Sequence, residues 1–301
     1  MSISSRAGLS FLIVWIAAQV YDRRLGRPEV FCMKIRFLSP LIWLIALGGT
    51  ALRTAQLIFF FDSSTGFLHD SGLLSGLVVV LVLAAVLIPA LYMRRHELVA
   101  SDPGPQFSCG IGAVLAAIGT VVATVADLRA LLAAASPFSF LAILAADVML
   151  LIPLAALAAG HLRGDPLFNG YTVLGLLPIL ALAIRAVYLF AVYTPTNTSF
   201  VNLLNLSALA LLIGFFCGVA YLATDHPAPP RMSLLLCGCA AAVCGLIASV
   251  PPLICVLMNQ PCPSSADTAH LLETGALSVY ALFFLPSFRV ETPVYGRRFR
   301  N

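Results

Sequence analysis

Apolar positions in this chain do not alternate with polar ones but run on without interruption. Eight long segments stand out: Leu38–Phe61, Gly72–Met93, Cys109–Leu128, Pro137–Gly160, Gly170–Tyr193, Phe200–Leu222, Arg231–Leu257 and Thr268–Leu285. Each holds about 18 to 27 residues, and a helix rising about 1.5 Å per residue needs roughly 20 to cross a 30 Å hydrocarbon core. Membrane strands would show an apolar/polar alternation that is absent here. Hydrocarbon offers no partner to a backbone N–H or C=O, so an apolar run of this length is expected to close its hydrogen bonds as a helix. The pattern predicts an all-α, polytopic transmembrane helical bundle of about eight spans.

The connections are short and rich in turn residues, as at Asp102–Pro105, Gly164–Pro166 and Pro227–Pro230. Short turns make successive helices antiparallel neighbours. Basic residues then fall on alternate connections. Arg6, Arg23, Arg24, Arg27, Lys34 and Arg36 precede the first span, Arg94 and Arg95 follow the second, Arg163 the fourth and Arg231 the sixth, and Arg289, Arg297, Arg298 and Arg300 follow the last. The connections 62–71, 194–199 and 258–267 hold no Lys or Arg, and the remaining one holds only Arg129. The positive-inside rule assigns the basic side, and with it both termini, to the cytoplasm of a bacterial plasma membrane.

Composition agrees with this reading. The chain is 60% hydrophobic and 10% charged over 301 residues, against about 25% charged in soluble domains. A mean hydropathy of +0.99 leaves no room for a large water-soluble domain. The net charge of +4 comes from orientation-setting arginines, and no basic surface interleaved with aromatics points to nucleic acid. The partners implied are the lipid bilayer and, beyond it, membrane subunits or further copies of the chain.

The first residues are unusual. Gly8–Val20 is a short apolar run flanked by Arg6 and Asp22-Arg23-Arg24, the length of a signal-peptide core and not of a span. Met33-Lys34-Ile35-Arg36 ahead of an apolar run resembles a bacterial translation start, so residues 1–32 are set apart as an extension or a loose interfacial helix.

Ala116–Leu128 aligns with Ala241–Leu253, and Leu52–Phe67 aligns with Ile184–Phe200 with one insertion. Both offsets lie near 125 to 133 residues. The expectation is a direct repeat of four spans, with halves at 33–161 and 162–301 related by an axis along the membrane normal.

Four charges lie inside spans: Arg53, Asp147, Arg185 and Glu273. A charge near the bilayer centre costs about 2.5–3.5 kcal/mol on insertion scales, so such groups face the interior and find partners. Thr50, Arg53 and Gln56 recur at helical spacing and form a polar stripe. Helical side chains lean toward the N-terminus. On that basis Arg53 and Asp147 reach similar depths, about 12–15 Å below the outer surface. Ion pairs Arg53–Asp147 and Arg185–Glu273 are expected to line a shared interior or an outward-facing cavity. Arg53, Gln56, Asp147, Arg185 and Glu273 form the candidate solute site. Small residues, including Gly72-x-x-x-Gly76 and an alanine-rich fourth span, suit close helix packing.

The segment Arg53-x-x-Gln56-Leu57, followed by Phe61-Asp62-x-x-Thr65-Gly66-Phe67, resembles one found in uncharacterised multi-pass membrane proteins of anaerobic Gram-positive bacteria. That group carries no assigned activity, so the resemblance implies a membrane bundle and no chemistry. The second repeat departs from the motif, with Tyr188 in place of the Gln and Thr194 near the position of the Asp.

Reaction motifs are absent. There is no phosphate-binding Gly-x-x-x-x-Gly-Lys-Ser/Thr loop, no His-Glu-x-x-His zinc site and no Gly-x-Ser-x-Gly nucleophile elbow. His69, His96, His161, His226 and His270 all fall near span ends and read as interfacial, not as haem ligands. Most of the eight Cys read as small packing residues. Cys255 and Cys262 flank one span end at disulfide-compatible spacing, and Cys237-Gly-Cys239 lacks the further ligands a soft metal ion needs. No cofactor and no catalytic residue is assigned, and whether the chain is an enzyme is left open, with a non-enzyme preferred. The first reading is a small-solute transporter or permease-like subunit. The alternative is a non-catalytic membrane scaffold or sensor. An enzyme acting on lipid ranks last, with Asp62, His69, Asp70 and His270 its only candidates.

Overall fold

The computed structural model describes residues 32–34, 38–61, 72–93, 97–100, 106–133, 138–165, 168, 172–193, 200–223, 231–260 and 267–291. Residues 1–31, the first outer loop with Asp62, His69 and Asp70, and Cys262 lie outside these. So do His96, His226 and the arginines at 297, 298 and 300.

Among the described residues, eight helices form the body: α1 (Leu38–Phe60), α2 (Leu73–Met93), α3 (Phe107–Ala133), α4 (Phe138–Arg163), α5 (Leu176–Tyr193), α6 (Phe200–Leu222), α7 (Arg231–Leu257) and α8 (Thr268–Phe284). Each is long and apolar enough to cross a membrane, and the chain is an integral, multi-pass membrane protein. Leucine, valine and phenylalanine stay exposed around the outside, as at Leu44, Phe59, Leu83, Val187 and Leu203. Such a surface suits lipid, where apolar groups gain nothing from burial in protein. Pro89, Pro153, Pro251 and Pro252 sit inside continuous helices. Neighbouring helices can satisfy the carbonyls that proline leaves unbonded.

Two boundaries differ from the hydropathy reading. Helix α3 runs on past Leu128 and Arg129 to Ala133, and Asp127 within it faces protein and not lipid. Helix α5 begins at Leu176 after a 3₁₀ turn at Thr172–Gly175. There Gly175 lies against Ala220 of α6, and a Cβ in its place would stand 2.8 Å from the Ala220 Cβ.

Helices α3 to α8 pack in chain order into a ring that closes where α3 meets α8, and the α1–α2 hairpin lies outside it against α7. Helix α7 is the most buried of the eight and α2 the least. Among the described residues, α4 and α7 share no interface like that of α3 and α8, although exchange of two symmetric halves would bring them together in the same way.

The closest approaches are made by single glycines. A Cβ at Gly119 of α3 would meet the Ala276 Cβ of α8 at 2.9 Å, and one at Gly245 of α7 would collide with Ser278. The Gly72-x-x-x-Gly76 motif does not work this way, because a Cβ at either position meets nothing within 4 Å. That face of the peripheral α2 has no helix beside it.

One small sheet departs from the all-helical plan. Strands β1 (Cys32–Lys34) and β2 (Glu97–Ala100) each pair antiparallel with the central β3 (Phe288–Glu291). Met33 and Leu98 both stand opposite Val290. The sheet therefore gathers the segment before α1, the α2–α3 connection and the segment after α8 at one end of the bundle. A hydrogen bond of 2.8 Å from Gln106 N to His161 O brings the end of α4 to the same side.

Candidate functional site

Antiparallel helices bring distant residues to one depth. Asp127 is in the last two turns of α3, Asp147 in the third turn of α4, Arg185 in the third turn of α5, and His270 and Glu273 in the first two turns of α8. At 1.5 Å per residue all five lie about 3 to 14 Å from the helix ends remote from the sheet.

Arg185 is the hub. Its Nη1 donates to Glu273 Oε2 and its Nη2 to Asp147 Oδ1. Asp147 and Glu273 are fully buried. A planar guanidinium can hold two carboxylates at once, which a lysine ammonium does with less geometric definition. His270 extends the network, with Nδ1 3.2 Å from Arg185 Nη2 and Nε2 3.1 Å from Asp127 Oδ1. The guanidinium can only donate and the carboxylate accepts, so the partners assign the proton to Nε2 and a lone pair to Nδ1. Three carboxylates and one imidazole thus surround a single guanidinium.

A cavity of about 180 Å³ borders this network. Asp127, Arg185, Tyr188, Asn205, His270 and Thr274 contribute its polar lining, and Ile143, Leu189, Leu209 and Leu271 its apolar lining. Exposed Asp267, the residue before α8, stands at its edge and makes no capping bond with its side chain. Asn205 of α6 is 5% exposed, yet neither polar atom of its amide has a hydrogen-bond partner. The Asp127 carboxyl is likewise buried, beside that of Asp147. Orphaned polar atoms on a cavity wall are costly and call for a guest.

Toward the sheet the interior is filled with rings. Phe215 contacts Phe216, Tyr280 and Phe284 at centroid distances of 5.3, 5.8 and 5.6 Å. Buried His161 of α4 reaches the Tyr280 hydroxyl at 3.2 Å through Nε2.

Two of the expected site residues belong elsewhere. Arg53 donates to Gln56 on its own helix, and Gln56 Nε2 donates to Ser75 Oγ of α2 at 2.8 Å. The pair Arg185–Glu273 is present, but Asp147 joins Arg185 and not Arg53. Helix α4 packs on α3 and α5, whereas α1 packs on α7 and α2. Equal depth therefore did not bring Arg53 and Asp147 together. Asp127, Asn205 and His270 are additions to the predicted set. His161 and His270 lie near span ends as expected, but both have protein partners: one is buried among aromatics and the other joins the ionic network. The spacing of His270, Glu273 and Thr274 on one helical face was a readable signal.

No protein-family model matches the chain, and neither a curated protein nor a solved structure matches it significantly.

Proposed function

We propose that this protein is a small-solute transporter or permease-like subunit of a bacterial plasma membrane, with the sheet end and both termini in the cytoplasm. The arginine-rich connections 94–95 and 163, and the basic segments at both ends of the chain, support that orientation. The observation that carries the reading is the asymmetry of the interior. A charged cavity occupies the half remote from the sheet, and a plug of Phe215, Phe216, Tyr280 and Phe284 fills the half beside it. This is the arrangement of a carrier open to one side only. Ionisable groups facing a cavity within a membrane bundle commonly mark a solute path. A plain scaffold has no use for an unpartnered buried amide.

The test is alternating access at the cavity floor. Asn205→Cys is placed in proteoliposomes of each orientation and treated with a charged, membrane-impermeant thiol reagent. A carrier exposes the thiol from the distal side and, in a second state, from the sheet side. Reactivity from the distal side alone under every condition supports the scaffold or sensor reading instead.

A further inference from the structure

We infer that the cavity binds a small organic cation, a primary or secondary ammonium ion carrying a hydrocarbon body, with Asp127 as its counter-ion and Asn205 as its orienting acceptor. The inference rests on the cavity being the solute site and adds the chemical class of the solute.

Three observations converge on it. Arg185 is already held by Asp147 and Glu273, so its charge is spent within the network. Three carboxylates share that one guanidinium, so the wall that a guest meets is rich in hydrogen-bond acceptors. Next, Asp127 lines the cavity and gives its Oδ1 to His270, while the buried Asn205 amide on the facing wall has a carbonyl oxygen to offer. An ammonium group with two or three N–H donors suits such a pair of acceptors. Finally, Tyr188 and the leucines on the remaining wall suit hydrocarbon, and an aromatic face attracts a cation. Exposed Asp267 at the edge supplies a second negative charge on the way in.

A bare metal ion fits less well. Among the described residues no three His, Cys, Asp or Glu side chains are grouped to hold one. A cavity of about 180 Å³ is also larger than a desolvated ion needs, being comparable with the roughly 150 Å³ that admits benzene.

The experiment is calorimetric titration of the purified full chain in detergent with phenethylammonium, 2-phenylethanol and phenylacetate, which share a body and differ in charge. Phenethylammonium is expected to bind, the alcohol to bind far more weakly and the carboxylate not at all. Asp127→Asn is expected to weaken phenethylammonium binding roughly thirtyfold or more, and Asn205→Asp, which adds a second carboxylate, to tighten it. If Asp127→Asn does not fold, judged by its melting curve, Asn205→Asp decides. Phenethylammonium binding that does not tighten in that variant overturns the inference. Binding of phenylacetate or phenylethanol as tight as that of the ammonium, and abolished by Asn205→Leu, overturns the cationic class while leaving the cavity as the solute site. If no probe binds and Asn205→Cys stays unreactive from both sides, the transporter reading falls with it.

Discussion

Asp127 and His270 meet across the α3–α8 interface through a hydrogen bond of 3.1 Å that His270 Nε2 donates to Asp127 Oδ1, and this bond ties Asp127 to the ionic network bordering the cavity. Asp127 thereby connects through the imidazole to Arg185 and hence to Asp147 and Glu273. The link depends on the close approach of α3 and α8 at Gly112 and Gly119, where a Cβ would stand 3.1 Å from the Tyr280 Cα and 3.2 Å from the Glu273 Cα.

Removing the hub leaves two buried carboxylates without their cation. Arg185→Ala is expected to cost about 3–5 kcal/mol, the usual penalty for breaking one side of a buried ion pair. The readout is thermal unfolding in detergent together with the monodisperse yield. Arg185→Lys is expected to fall between, since one ammonium cannot reproduce the fork. Adding Asp147→Asn and Glu273→Gln to Arg185→Met removes the stranded charges and is expected to recover most of the loss. A melting curve for Arg185→Ala that overlays the parent curve would show that the network carries no structural weight.

The eight spans were legible because hydrocarbon imposes one local rule on every segment, and a run such as Leu73–Met93 satisfies it without reference to the rest of the chain. Which charges meet is not local. Arg53 and Arg185 occupy aligned positions in their spans and lie at similar depths, yet only Arg185 sits on a helix that packs beside α4. Helix order around the ring, and the rotation of each helix about its axis, decide the partners, and span-by-span hydropathy contains neither. Asn205 was invisible for a related reason. A single amide in an apolar helix gains meaning only from the cavity beside it.

Helix contacts offer a direct comparison of two kinds of glycine. Gly119→Val drives its side chain into Ala276 and the α8 backbone, and overpacking of this kind costs about 1–3 kcal/mol. Gly76→Val points into open space on α2 and is expected to leave the melting temperature within error. Equal losses from the two substitutions would contradict the packing of α3 on α8.

Sidedness can be read with an impermeant maleimide on intact cells, in a Cys262→Ser background. Gln260→Cys, exposed beyond the end of α7, is expected to react from outside. Asp165→Cys, exposed beyond α4 at the sheet end, is expected to react only after permeabilisation. Because β1 and β2 both pair with β3, fluorescent tags at the two termini are expected to report the same side as Asp165. Labelling in the opposite sense would invert the bundle and place the cavity on the cytoplasmic face.

The aromatic plug makes the last expectation a matter of packing. Tyr280 has Phe215, Phe216 and Phe284 around its ring and His161 at its hydroxyl. Any path from the cavity to the sheet end must part these groups. Tyr280→Phe keeps the ring but removes the bond to His161, at a cost of about 1 kcal/mol. Phe215→Leu keeps an apolar side chain but removes three ring contacts, and the smaller side chain opens a gap the surrounding rings only partly fill. Both substitutions weaken the closed half without touching Asp127, Asn205 or Arg185. Each is therefore expected to raise the labelling rate of Asn205→Cys from the sheet side and leave the distal rate unchanged, with Phe215→Leu giving the larger effect. If both variants retain the parent rate on the sheet side, these rings are core packing and the barrier lies elsewhere.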